Sequence, residues 1–271
     1  MNIKLAAIDL DGTLLTDQYE MTPRTKEAVQ NMQKQGVKII LASGRGPKSC
    51  DPYHEQLQLA DVCITHNGAV IYDRMSGKTW LEVGFEANEL RPLIEYCRKL
   101  HLHFDLSTAF DMYIERENRH ARDIYRQFFV DPIRVADAGQ LPKKIVKFTI
   151  FDPDETRLDR VMDELVPMFP NWSIVRSGET FIDVIHPRAT KGRALRHLLQ
   201  AYRIQADEVV AFGNFYNDLE MIQLAGLGVA MANAPEEVKE QADRITASNN
   251  EDGVALILEE LIHLPGRLHI G

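Results

Sequence analysis

The run Asp9-Leu10-Asp11-Gly12-Thr13-Leu14-Leu15 follows directly on the apolar segment Leu5-Ala6-Ala7-Ile8. A short, almost uninterrupted apolar run reads as a parallel strand covered on both faces. It runs out into two carboxylates two positions apart, and in an extended chain such positions point the same way. Gly12 then lets the backbone turn sharply beside them. A carboxylate at a strand end serves as nucleophile or metal ligand, and its neighbour handles protons. An isolated Asp-x-Asp pair is as easily a cap or a turn. The whole string, at the end of the first strand, is a far more specific signal.

Outward from this string the chain alternates. Residues 3–10 read as a central parallel strand, and Thr22-Pro23 opens a helix that stops at Gly36. Val37-Lys38-Ile39-Ile40-Leu41-Ala42 is the next strand and ends in Ser43-Gly44-Arg45. A helix near 47–58 leads to Val62-Cys63-Ile64-Thr65 and the turn His66-Asn67-Gly68. Strand–helix alternation predicts a parallel sheet with right-handed crossovers. The pattern returns after Lys191-Gly192. It continues with Val209-Val210-Ala211-Phe212, Gly213-Asn214, a helix near 217–225, the strand Gly228-Val229-Ala230-Met231 and helices at 236–242 and 252–262. The tail after Pro265 carries no clear signal.

Between these stretches the order is mixed. A hairpin around Ser76-Gly77 is followed by helices near 87–100, 118–129 and 154–168, strands near 102–107, 111–116 and 145–151, and a hairpin at 172–186. The fold class expected is therefore α/β: a doubly wound, Rossmann-like parallel sheet as a discontinuous core (1–83 and 188–271) with an inserted α+β cap domain at 84–187. Crossings near 82–86 and 186–190 would act as hinges.

A chain of 271 residues, 45% hydrophobic and 26% charged, is that of a globular protein with one large or two moderate domains. The net charge of −9 offers no basic footprint for nucleic acid or acidic membranes. Cys50, Cys63 and Cys97 form neither a metal spacing nor a disulfide framework, which fits small buried hydrophobes in a reducing compartment. Strand 1 begins at once, leaving no room for a signal peptide. No apolar run reaches the roughly 20 residues of a membrane helix. The expectation is a cytoplasmic protein, monomeric or weakly homo-oligomeric.

In open α/β sheets ligands bind beyond the carboxyl ends of the strands. The clusters at 9–13, 43–45, 66–68 and 213–218 lie at such ends, and Lys191 opens the helix where the chain returns from the insert. In these residues the chain resembles the haloacid dehalogenase superfamily and, within it, the Cof-type sugar-phosphatase-like hydrolases. Asp9-Leu10-Asp11-Gly12-Thr13-Leu14 is similar to motif one and Ala42-Ser43-Gly44-Arg45 to motif two. Lys191-Gly192 is similar to motif three, and Gly213-Asn214-Phe215-Tyr216-Asn217-Asp218 to motif four. The resemblance covers essentially the whole length, cap included.

The resemblance implies transfer of a phosphoryl group to water through an aspartyl-phosphate. Asp9 would attack phosphorus. Asp11 would protonate the departing oxygen and then take a proton from water, a role that asks for a carboxyl kept protonated by its surroundings. Lys191 would hold fixed positive charge against Asp9 and the phosphate. Ser43, Gly44, Arg45 and Asn217 would meet the phosphate or substrate, with Asn217 also orienting Lys191, and Asp183 in the cap would touch a sugar hydroxyl. Mg2+ would sit on Asp9, the Asp11 backbone carbonyl, Asn214 and Asp218. The partner is a small phosphorylated metabolite.

Several of these residues have plainer readings. Ser43 and Asn217 suit caps, Arg45 a surface ion pair, Asp183 a solvent-facing strand position, and Asn67-Gly68 a hairpin turn near the pocket. Arg116, Arg119, His120 and Arg122 read as a solvated face of the cap. The main departure from the family pattern is Asn214, which stands where an aspartate usually binds the metal. Its amide oxygen can ligate a hard cation but brings no negative charge. Two other readings stay open at this point: a sugar phosphomutase, and a phosphometabolite-binding or regulatory protein with weakened chemistry.

Overall fold

The structure, a computed structural model, describes residues 2–59 and 62–263. The tail after Pro265 lies outside the described residues. Contacts divide the chain into two compact units. The first takes the residues up to Arg45, Cys50–Trp80 and those from Thr190 onward; the second takes Gly46–Ser49 and Leu81–Ala189.

The first unit opens with β1 (Leu5–Ile8), α1 (Pro23–Lys34), β2 (Lys38–Leu41), α2 (Pro47–Leu57), β3 (Val62–Thr65), β4 (Val70–Asp73) and β5 (Lys78–Glu82). All four residues of β1 are fully buried, as a strand apolar on both faces requires. The Thr22 side chain caps α1 by accepting from the Thr25 N–H, and Pro23 sits in the first turn, where no N–H is missed.

The second unit holds β6 (Phe85–Glu86), α3 (Arg91–Lys99), β7 (His103–Ser107), β8 (Met112–Ile114), α4 (Arg119–Gln127), β9 (Ile133–Arg134) and β10 (Lys144–Ile145). It ends with β11 (Lys147–Phe151), α5 (Glu155–Met168), β12 (Ser173–Gly178) and β13 (Phe181–Ile185). Its main sheet has the order β12-β13-β11-β7-β8-β9 and is antiparallel except for the β8–β9 pair. Phe104, Leu106, Phe148, Ile150, Ile182 and Val184 pack against residues of α3 and α5, such as Leu93 and Leu158. The alternate positions carry polar groups instead: Thr149 lies in register with Asp105 on one side and Asp183 on the other.

The chain then returns to the first unit with α6 (Lys191–Tyr202), β14 (Val209–Gly213), α7 (Leu219–Leu224), β15 (Leu227–Ala230), α8 (Glu236–Lys239), β16 (Arg244–Ile245) and α9 (Gly253–His263). The parallel sheet has the order β16-β15-β14-β1-β2, so β1 is central, between β14 and β2. Ala6, Ile8, Ile39, Leu41, Val210, Phe212 and Val229 pack with α1, α2 and α9. Each fully buried aliphatic side chain contributes about 1.5–3 kcal/mol. The helices α6 and α7 pack on each other, and α7 rests against β14 and β15.

The core is thus the doubly wound α/β arrangement expected, with two refinements. Among the described residues β3 meets the parallel sheet through the Ala42–Ile64 bridge, and it pairs antiparallel with β4 across the His66–Gly68 turn. The two-residue strands β6, β9, β10 and β16 leave no periodic signal long enough to read. No helix among the described residues is long and apolar enough to cross a membrane.

Candidate active site

The site is built at the carboxyl end of β1 and its neighbours in the first unit. The Asp9 N–H still donates to the Phe212 carbonyl, so Asp9 continues the sheet ladder and is held rigidly. The turn after it closes with Leu14 N–H to Asp9 O and Leu15 N–H to Leu10 O. Gly12 has φ +75°, and a Cβ there would lie 2.4 Å from the Asn214 side chain. Only glycine satisfies both conditions.

Lys191, the first residue of α6, is fully buried. Its Nζ donates to Asp9 Oδ1 at 2.6 Å and to Asp218 Oδ1 at 2.7 Å. Asp218 is equally buried, and its Oδ2 accepts from the backbone N–H groups of Asn214 and Phe215. Burial works against the Lys191 charge, but Asp218 and Asp9 outweigh it and the ammonium titrates above its ordinary value. Burial pushes the Asp9 carboxyl up to about 7, the Asp218 charge adds to that, and Lys191 opposes it. The result is a buried carboxylate with one oxygen tied to a fixed cation and the other, Oδ2, directed elsewhere.

That second oxygen meets Asn214. The outer amide atom of Asn214 lies 3.2 Å from Asp9 Oδ2, 3.0 Å from the Asp11 backbone oxygen and 3.1 Å from Thr13 Oγ1. Hydrogen bonding to the Asp9 carboxylate and the Asp11 carbonyl requires the amide nitrogen in that place, whereas its oxygen there accepts from the Thr13 hydroxyl. Among the described residues no group of three or more His, Cys, Asp or Glu could hold a metal. A cation here would therefore draw on one carboxylate oxygen, one main-chain carbonyl and the Asn214 amide turned to present its oxygen. Hard oxygens suit Mg2+, and a spacing near 3 Å matches the ~2.9 Å edge of an octahedron with 2.0–2.1 Å bonds. The donor set fits Mg2+ once the amide is turned.

Asp11 does not face Asp9. Its carboxylate takes both arms of Arg45, Nε to Oδ2 at 2.8 Å and Nη2 to Oδ1 at 2.5 Å. Arg45 also donates to the Tyr53 hydroxyl and lies over the Tyr19 and Tyr53 rings. Burial disfavours its charge, and Asp11 more than restores it, so Arg45 titrates above its ordinary value. In this structure the Arg45 guanidinium is engaged by Asp11 and Tyr53, as the ion-pair reading has it. A proton-donor role for Asp11 requires this fork to open.

Ser43 is fully buried and its Oγ accepts from the Arg45 N–H. Gly44 leaves space for Asn67, whose Oδ1 would lie 2.9 Å from a Cβ at that position. Asn67, at φ 56°, donates its N–H to Ser43 O and accepts from Asn217 Nδ2 at 2.9 Å. Asn217 thus ties the β14 loop to the β3–β4 turn. Orientation of Lys191, expected of Asn217, falls to Asp218, and Asp218 has neither oxygen turned to the Asp9 Oδ2–Asn214 corner.

Asp183 belongs to the second unit. It is buried rather than solvent-facing, accepting from Thr149 Oγ1 at 2.9 Å with Lys147 Nζ at 3.5 Å. Beside it the Tyr125 hydroxyl donates to Asp105, whose other oxygen has no partner. Burial pushes Asp105 up to about 7. Strand alternation could have flagged Asp105, Lys147 and Thr149 as one polar face. Nothing in the sequence marks Thr13 or Tyr53 for their contacts, which depend on side-chain placement across distant segments.

The sequence model of the haloacid dehalogenase-like hydrolases matches residues 6–258. A Haemophilus influenzae protein that carries a provisional phosphatase name is 34% identical over 268 residues, covering 96% of this chain and 98% of the relative. The 5-amino-6-(5-phospho-D-ribitylamino)uracil phosphatase YcsE of Bacillus subtilis is 33% identical over 260 residues, covering 94% of each. A solved haloacid dehalogenase-like hydrolase from Bacteroides thetaiotaomicron superposes with a TM-score of 0.86 at 30% identity, covering 96% of this chain and 99% of that one. The chain belongs to the haloacid dehalogenase-like hydrolases, as one of their phosphatases acting on phosphoric monoesters.

Proposed function

We propose that the protein is a Mg2+-dependent phosphatase that hydrolyses small phosphorylated metabolites, of the sugar-phosphate kind, through an aspartyl-phosphate on Asp9. The observation that carries this reading is the buried Lys191 ammonium bridging Asp9 and Asp218 at 2.6 and 2.7 Å. A fixed cation in a site closed to water stabilises charge that accumulates on a phosphoryl group far better than a solvated one. Asp9, held by the sheet ladder, attacks phosphorus as the ester oxygen leaves. Asp11, released from Arg45, gives that oxygen a proton. Asp11 then takes a proton from the water that attacks the acyl phosphate, which returns free phosphate and the Asp9 carboxylate.

Ser43 accepts the Arg45 N–H, which leaves its hydroxyl proton for a phosphoryl oxygen. Asp9, the Asp11 carbonyl and Asn214 would hold the Mg2+. When bound, Mg2+ neutralises charge between the anionic nucleophile and the anionic substrate. Segment 84–187 would serve as the specificity cap. Support for that comes from its own sheet, where Asp183, Asp105, Lys147 and Thr149 share one polar face able to accept from and donate to sugar hydroxyls. The named substrate of the Bacillus subtilis relative is a phosphorylated ribityl chain on a uracil, of the same chemical class.

The test is phosphate release from a panel of phosphorylated metabolites, with and without Mg2+, for the wild type and Asp9→Asn. Mg2+-dependent release should fall at least about a thousandfold in the variant. Release that persists in Asp9→Asn would remove Asp9 as nucleophile.

A further inference from the structure

The corner formed by Asp9 Oδ2, the Asp11 carbonyl and Asn214 has a property that an aspartate at 214 would not give it. Three oxygens converge on one terminal atom of the Asn214 amide at 3.0–3.2 Å, and only the amide nitrogen in that position can hydrogen-bond to all three. Its two N–H groups are shared among a carboxylate oxygen, a main-chain carbonyl and the Thr13 hydroxyl. A donor group at one ligand position thus satisfies, by hydrogen bonding, the oxygens on which a cation would draw. Gly12 packs against the same amide, so the group has little freedom other than rotation about its own terminal torsion. That torsion is broad and roughly two-fold for asparagine, so the amide can exchange its nitrogen and oxygen ends without moving the backbone.

We propose that Asn214 is a two-position amide: its N–H end stands in for the cation in the metal-free protein, and its oxygen end replaces it when Mg2+ enters. This rests on the reading of Asp9, the Asp11 carbonyl and Asn214 as the cation's ligands. Metal binding in this chain is therefore an exchange of hydrogen bonds for coordination bonds, not the relief of repulsion between two carboxylates. The metal-free site needs no ion to be stable. An aspartate at 214 would place its charge against Asp9 Oδ2 with no N–H between them, and that protein would be less stable without Mg2+.

The experiment is thermal unfolding of the full chain, wild type and Asn214→Asp, in EDTA and in saturating Mg2+. The wild type should unfold roughly 5–10 °C above the variant in EDTA, and Mg2+ should raise the variant far more than the wild type. Equal stability in EDTA, or an equal Mg2+ shift in both, would overturn the proposal. A second measurement needs only the folded wild type: 15N spectra of asparagine side chains, with the Asn214 pair identified by its absence in Asn214→Ser. That pair should exchange slowly with solvent in EDTA and at least about tenfold faster in Mg2+. A pair unmoved by Mg2+ would contradict the amide turn. Neither readout uses phosphate release, so failure here leaves the phosphatase reading to its own test.

Discussion

In each unit a pair of buried aspartates flanks a lysine, fully buried at Lys191 and partly exposed at Lys147, and the two sets behave differently. In the first unit Lys191 sits within 2.7 Å of both Asp9 and Asp218, and the remaining Asp218 oxygen takes two backbone N–H groups. In the second unit Lys147 reaches only Asp183, at 3.5 Å, and one oxygen of Asp105 has no partner. Burial pushes both Asp9 and Asp105 up to about 7, yet only Asp9 has a cation in hydrogen-bond contact. The lesson is that composition does not make a catalytic centre. A lysine at hydrogen-bond distance fixes where a buried carboxyl group points and places positive charge beside it, whereas a more distant one leaves a carboxyl oxygen without a partner.

The comparison breaks most sharply at the lysines. Lys191→Met leaves two buried carboxylates facing each other without their cation, which costs about 3–5 kcal/mol. Phosphate release should fall at least about a thousandfold, since the positive charge opposite the phosphoryl group is gone. The same change at Lys147 should cost only about 1 kcal/mol, because the contact is long and makes no hydrogen bond. Denaturant titration and a phosphate assay on both variants check this; equal penalties would mean that the two clusters are equivalent.

A smaller effect is the share of the pH dependence that Asp105 carries alongside Asp9. The unfolded chain ionises Asp105 near its ordinary 3.8, and the folded one near 7. Between those values the folded state keeps a proton that the unfolded state has lost, so stability falls as pH rises through this window and levels off above it. Asp105→Asn cannot ionise and should lose that slope. It should match the wild type near pH 4 and exceed it by on the order of 3 kcal/mol at pH 8. Urea unfolding across this range, followed by circular dichroism, measures the slope. An unchanged slope in Asp105→Asn would show that Asp105 carries no buried charge.

Much of this was legible from the chain. The apolar run ending in Asp9-Leu10-Asp11-Gly12 identified β1 and its turn because burial on both faces leaves a continuous pattern. Lys191 was identifiable from the family resemblance together with its position at the return from the insert. What the sequence could not show was orientation. Asp11 paired with Arg45, Asn217 with Asn67, and Asp218 with Lys191, and each pair joins segments far apart in the chain. The turn of the Asn214 amide is likewise decided by three neighbours that residue identity alone does not reveal. Asp183 was singled out, but its burial beside Thr149 depends on the register of β11 and β13.

On the proposed mechanism Asp9 carries the phosphoryl group during turnover. The most direct measurement is acid quenching of the enzyme in the presence of Mg2+ and its best substrate, then reductive trapping of acyl phosphate and peptide mass spectrometry. The account predicts one trapped site, at Asp9, which disappears as substrate is exhausted. Rapid phosphate release with no trapped site at Asp9, or with the site on another residue, would contradict it.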